Sequence, residues 1–159
     1  MNHDWILWVL TIATGIHVME EHGMGWQGWA VKTMGLRIGV HPTWSDFWAT
    51  NLALIVVAIA CASVAWRAPW FALSFPALCV INAVFFHVLP TVAARRPNPG
   101  VFSAVLLYIP ISIWIYAEAE RDGMLSAGTV LVSTLVGAGL MASAILVLML
   151  SARIGYPDA

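Results

Sequence analysis

The residues best suited to chemistry lie in the run His17-Val18-Met19-Glu20-Glu21-His22, at the inner end of an apolar segment that begins near Asp4. A charged side chain at a bilayer centre costs at least ~2.5–3.5 kcal/mol, so carboxylates in such a place are paired, metal-bound or functional. On a helix advancing ~100° per residue, Glu20 lies about 60° to one side of His17 and Glu21 about 40° to the other. The three side chains can converge on one point. An imidazole nitrogen and carboxylate oxygens at these spacings form a donor set for a divalent metal, one ion or two. His22 points ~140° away from His17, toward water or headgroups.

The elements that must position this cluster are apolar helices. The chain has 159 residues, 61% of them hydrophobic and 9% charged, with a mean hydropathy of +0.86. Its apolar runs reach the ~20 residues that a helix needs to cross a ~30 Å hydrocarbon core. The fold class expected is all-α, an integral membrane helical bundle of about five transmembrane helices forming one domain over residues 1–159. The spans fall at about 4–22, 44–66, 69–94, 99–121 and 125–151. Residues 23–43, rich in Gly and carrying Trp26, Trp29, Lys32 and Arg37, are too polar to span and read as interfacial.

Boundaries carry their own chemistry. Thr43-Trp44-Ser45-Asp46 reads as a capping-box variant, Asn98-Pro99 as N-cap and first helical residue, and Asp122-Gly123 as a turn. Trp5, Trp8, Trp26, Trp29, Trp44, Trp48, Trp66 and Trp70 read as an aromatic belt marking membrane depth. Cys61 and Cys79 fall inside spans, where thiols act as small apolar fillers. Met1-Asn2-His3-Asp4 lacks a basic n-region, so a removable signal peptide is not expected.

Basic residues orient the bundle: Lys32, Arg37, Arg95, Arg96 and Arg153 fall on one side, Arg67 and Arg121 on the other. The richer side is expected to be cytoplasmic, with the N-terminus outside and the C-terminus inside; in a bacterium this is the cytoplasmic membrane. The third span then returns to the cytoplasmic end and delivers His87 at the depth of His17. Asp46 and Asn51, near the start of the second span, enter from the same end as outer partners. Tyr108 can reach the pocket from the fourth span. Pro90, three residues after His87, removes an N–H and frees a backbone carbonyl nearby. Glu118 and Glu120 end the fourth span at the opposite face and are poor ligand candidates. The last span carries the small-residue pairs Ser133/Gly137 and Gly139/Ser143, which suit packing within the chain or a homo-oligomer contact.

His17-x-x-Glu20-Glu21 at the end of a first membrane helix, a later Asn82/His87 pair and Pro99-Gly100 opening the next helix resemble the HXXEE-domain family of small integral membrane proteins. The similarity continues through Leu106-Leu107-Tyr108-Ile109-Pro110 and Asp122-Gly123-Met124-Leu125-Ser126. It implies a metal-dependent enzyme without fixing a substrate. Two features depart from the family pattern. Asn82 and His87 stand five positions apart where the family has four, which turns them ~140° from one another on a regular α-helix. Pro97 stands where the family has Tyr.

The expected function is therefore that of a metal-dependent intramembrane enzyme acting on a hydrophobic or amphipathic small molecule. His17, His87 and one or both of Glu20 and Glu21 hold Zn, Fe or Mn, and a Glu that does not ligate is placed as general base. Two carboxylates, neutral imidazoles and one dication sum to about zero, which removes most of the burial penalty. Hydrolysis, hydration and oxidation are all compatible with this set. The competing classes are a small metal-ion or proton carrier and an accessory membrane subunit whose Glu pair meets a partner's Arg. The net charge of −1, with basic residues scattered, leaves no footprint for nucleic acid.

Overall fold

The computed structural model describes residues 2–35 and 39–154, the side chains of 34, 35 and 152–154 excepted. Arg37 and the side chain of Arg153, both counted in orienting the bundle, lie outside the described residues. Helices α1 (Ile6–Gly23), α2 (Trp26–Ala30), α3 (Trp44–Arg67), α4 (Pro69–Ala94), α5 (Val101–Arg121) and α6 (Ala127–Ile154) make up the fold, with no strand among the described residues. α3, α4, α5 and α6 are each long and apolar enough to cross a membrane. α1 has 18 residues and falls short of the same hydropathy because His17, Glu20, Glu21 and His22 occupy its last turns.

α1, α3, α6, α4 and α5 pack neighbour to neighbour in that order and close a ring. The two ends of this ring differ. At one end, Ile6, Leu10, Cys61, Trp66, Leu73, Leu78 and Ile115 form a continuous buried core. At the other end the ring encloses a cavity of about 830 Å³ between α3, α4 and α6, with α2 and the loop after α4 along its edge. Large apolar side chains such as Ile12, Met19, Leu52, Leu106 and Leu135 point outward all round the bundle. Such a surface suits contact with lipid.

The helix starts and stops follow local chemistry. Thr43 caps α3 with Asp46 in a reciprocal capping box, Oγ1 accepting from the Asp46 N–H and the Asp46 carboxylate accepting from the Thr43 N–H. Asp122-Gly123 turns the chain after α5, with Gly123 at φ 72°. The expected N-cap role of Asn98 is not what forms. α5 begins at Val101 after Gly100, whose φ of 87° only Gly adopts without strain. Asn98 instead ties the connecting loop back onto α4.

Two helices loosen into π geometry one turn before a proline: Ala83–Val88 before Pro90 in α4, and Ala104–Tyr108 before Pro110 in α5. Pro90 has no N–H for the carbonyl four residues back, and its ring crowds that carbonyl. The freed Phe86 oxygen accepts a hydrogen bond of 2.7 Å from Asn98 Nδ2.

Described residues between α1 and α3 also pack onto the bundle. α2 runs on as a π-helical stretch, Val31–Gly35, while Ala30, Val40 and Pro42 are buried. Among the tryptophans read as a belt, Trp5, Trp8, Trp48 and Trp70 are exposed. Trp66 departs from that role: it is buried, and its Nε1–H donates 2.8 Å to Asp122 Oδ2. Cys61 and Cys79 are buried and free.

Candidate metal centre

The last turns of α1 and the π-helical stretch of α4 bring three ionisable side chains into one buried cluster. Glu21 Oε1 lies 3.7 Å from His17 Nε2 and 3.7 Å from His87 Nε2. The two imidazoles meet edge to face, 4.8 Å between ring centres. All three are buried, and they form a group that can hold one metal ion. Tetrahedral coordination with bonds of ~2.0–2.2 Å separates its ligand atoms by roughly 3.3–3.6 Å; the three donor atoms lie within 4.8 Å of one another, so the side chains would draw together to close on an ion.

The surroundings fit a metal better than a set of internal hydrogen bonds. Both ring nitrogens of His87 are buried without a hydrogen-bond partner, and an ion would take the lone pair of one of them. His17 Nδ1 lies 2.8 Å from Ser103 Oγ, and that hydroxyl reaches the Gly100 carbonyl at 3.3 Å. With the hydroxyl hydrogen directed to the carbonyl, Nδ1 donates and Nε2 keeps its lone pair toward Glu21. In that arrangement the outer contact sets the tautomer, as it does in metal-ligating histidines. Tyr108 stacks on the other side of His17 at 4.4 Å and holds the ring plane.

Gly100 closes the cluster from α5. A Cβ there would stand 2.6 Å from His87 Cε1, 2.8 Å from His17 Cε1 and 2.9 Å from Glu21 Cγ. The backbone therefore approaches the imidazoles as closely as a chain can, and any side chain would fill the space between them.

Glu20, expected beside Glu21, turns to the start of α5. Its Oε1 accepts from the Phe102 N–H at 3.0 Å and its Oε2 from the Ser103 N–H at 2.7 Å. α5 has no side-chain cap of its own, and this carboxylate supplies one, matched to the positive end of the helix dipole. Glu20 thus positions Gly100 and Ser103 against the histidines.

The remaining expected residues divide. Asn82 and His87 both line the cavity. In π geometry the hydrogen bond runs from i to i+5, so residues five apart lie about one turn from each other, not on opposed faces. Asn82 Oδ1 is buried without a partner, and its Nδ2 approaches Met141 Sδ at 3.9 Å. Asn51 lines the cavity and donates to the Phe47 carbonyl. Asp46 is spent on the capping box and does not reach the cavity. His22 is exposed, against Trp44 at 4.6 Å.

Glu118 sits at the opposite end of α1. It accepts from Trp114 Nε1 and Arg121, while Asp122 accepts from the His3 backbone N–H, pairs with the His3 ring at 2.8 Å and accepts from Trp66. Ser103 escaped the sequence reading, and Asn98 figures there as a cap and not as a clamp on α4. The signal for Ser103 is weak: a small polar residue in an apolar helix.

Residues 8–115 match the family model described as "Protein of unknown function with HXXEE motif". A Bacillus subtilis (strain 168) protein described as "Uncharacterized protein YrkK" is 30% identical over 69 residues. That match covers 43% of this chain and 44% of the relative, so the chain spans less than half the relative's length. No solved structure matches. The matched region holds all three candidate ligands together with Glu20, Gly100 and Ser103.

Proposed function

The chain belongs to the family defined by the HXXEE motif, and from that premise we propose that it is a metal-dependent intramembrane enzyme acting on a hydrophobic or amphipathic small molecule. The observation that carries this reading is a buried group of three donors, His17, Glu21 and His87, of which Glu21 and His87 face a cavity of about 830 Å³. Three protein ligands beside a cavity are the pattern of catalytic sites, whereas structural ions are closed by four. A divalent ion, Zn, Fe or Mn, supplies Lewis-acid polarisation at a substrate oxygen.

The chain's own residues do the rest. Ser103 and Tyr108 fix the His17 ring, Glu20 anchors the start of α5, and Gly100 leaves room between the imidazoles. Glu20 is a positioning residue in this reading, and Glu21 carries the carboxylate chemistry. The apolar walls exclude water and admit a ligand from the lipid side or the interface. We place all five long helices, α1 included, across the membrane, with the N-terminus outside and the cluster toward the cytoplasmic side, where Lys32, Arg95 and Arg96 lie. A carrier is disfavoured because the core beyond the cluster is built mainly from apolar side chains, Leu10, Leu78 and Ile115 among them, and Glu118 is engaged by Trp114 and Arg121.

Elemental analysis of purified protein tests the proposal. Wild type is expected to carry about one divalent ion per chain. His17→Ala, Glu21→Gln and His87→Ala lose it, and Glu20→Gln keeps it. Wild-type protein free of metal after reconstitution with Zn, Fe or Mn overturns the reading.

A further inference from the structure

Resting on that reading of the site, we propose that the cavity takes a single-chain amphiphile whose anionic head, a carboxylate or phosphate, lies between Lys32 and Arg96, with its apolar chain passing Glu21 and His87. The walls are built from apolar side chains, Leu54, Phe85, Phe86, Met141, Ile145 and Leu148 among them. A volume of about 830 Å³ falls within the ~300–1,000 Å³ of small-molecule sites, enough for one chain and its head.

Charge sets the polarity of the ligand. Besides Glu21, the charged residues lining the cavity are both cations, Lys32 from the α2 side and Arg96 from the loop after α4. Neither pairs with a carboxylate among the described residues. Two unpaired cations at the edge of an apolar cavity complement an anionic head, and a guanidinium can grip a carboxylate or phosphate with two parallel hydrogen bonds.

The loop that carries Arg96 is built rigidly. Arg95 ends α4 in the left-handed region at φ 52°, uncommon for a residue other than Gly. The Arg95 N–H returns to the Val92 carbonyl and the Arg96 N–H to the Thr91 carbonyl. Asn98, 3% exposed, then clamps the loop: its Nδ2 donates to the Phe86 carbonyl, its Oδ1 accepts from Thr91 Oγ1, and its N–H donates to Thr91 Oγ1. Of the two adjacent arginines, Arg96 faces the cavity and Arg95 does not. The far tail runs toward Leu54, Asn82 and Met141.

Binding of dansyl-labelled undecanoic acid and dansyl-labelled undecanol to the full chain in phosphatidylcholine nanodiscs, read by energy transfer from tryptophan, tests the assignment. The acid is expected to bind about tenfold tighter than the alcohol, the scale of one or two charge-assisted hydrogen bonds. The Lys32→Gln/Arg96→Gln variant, altered at two exposed positions, is expected to bind both alike. Ala144→Trp, which fills the cavity, is expected to bind neither. Equal affinity of wild type for acid and alcohol overturns the anionic head, and a preference that survives in the double variant overturns its placement. Acid still bound by Ala144→Trp overturns the cavity as the site. Displacement of the acid when the nanodiscs contain phosphatidylglycerol overturns the single chain in favour of a membrane lipid. Metal content measured on the same samples separates the two readings: a preference with no metal sinks the metal centre alone, and metal with no preference sinks the amphiphile alone.

Discussion

Glu20 and Glu21 differ by one position and have unlike partners: one meets two backbone N–H groups, the other two imidazoles. Gly100 sits between them in effect, held by the first against the second. Replacing it with Ala puts a methyl carbon where His87 Cε1 would be 2.6 Å away and His17 Cε1 2.8 Å away, and forces a side chain onto φ 87°. Gly100→Ala is therefore expected to weaken metal retention ~10- to 100-fold, with a smaller backbone cost of about 1 kcal/mol. Competition with a chelator of known affinity reads the first, and unfolding in detergent reads the second. Of this site, helical spacing alone made His17 and Glu21 legible, and topology added His87. It could not separate the two carboxylates, because the N–H groups that claim Glu20 lie 82 and 83 residues further along, and no periodicity within α1 records them.

At the scale of helices, α6 shows how a small residue acquires a meaning. Ser133 and Gly137 face inward, and a Cβ at Gly137 would meet the Ser74 carbonyl oxygen at 2.6 Å and the Leu78 nitrogen at 2.8 Å. A Cβ at Gly139 meets nothing within 4 Å. Gly137→Ala is expected to destabilise by ~1–3 kcal/mol, since backbone atoms cannot yield, while Gly139→Ala is neutral or stabilises by up to ~1 kcal/mol. Equilibrium unfolding of both variants in one detergent is the measurement. The extents of the long helices were legible because hydropathy and caps at Thr43 and Asp122 mark them. The π-helical stretches were not, since their cause, a proline one turn on, predicts a disturbed carbonyl without saying how the turn rearranges. That rearrangement is what returns Asn82 to the side of His87.

Across the whole molecule, the packed end is tied by Asp122, which gathers the His3 backbone and ring and the Trp66 indole. These hydrogen bonds, from the His3 backbone N–H first and then its ring, hold the carboxyl down at about 2 from an ordinary 3.8. A carboxyl with a depressed folded-state pKa contributes stability that is complete above about 4 and fades as pH falls through about 2. Wild type is expected to lose stability relative to Asp122→Asn between those limits, and thermal unfolding at pH 5, 3 and 2 measures the difference.

The packed and open ends also divide the chain in another way. The region that matches the family stops at residue 115, before α6, yet α6 supplies Met141, Ala144, Ile145 and Leu148 to the cavity wall. The donors therefore sit on α1 and α4, while α6 contributes wall and no donor. Substitutions along α6 are free to reshape the chamber without touching the three side chains that would hold an ion.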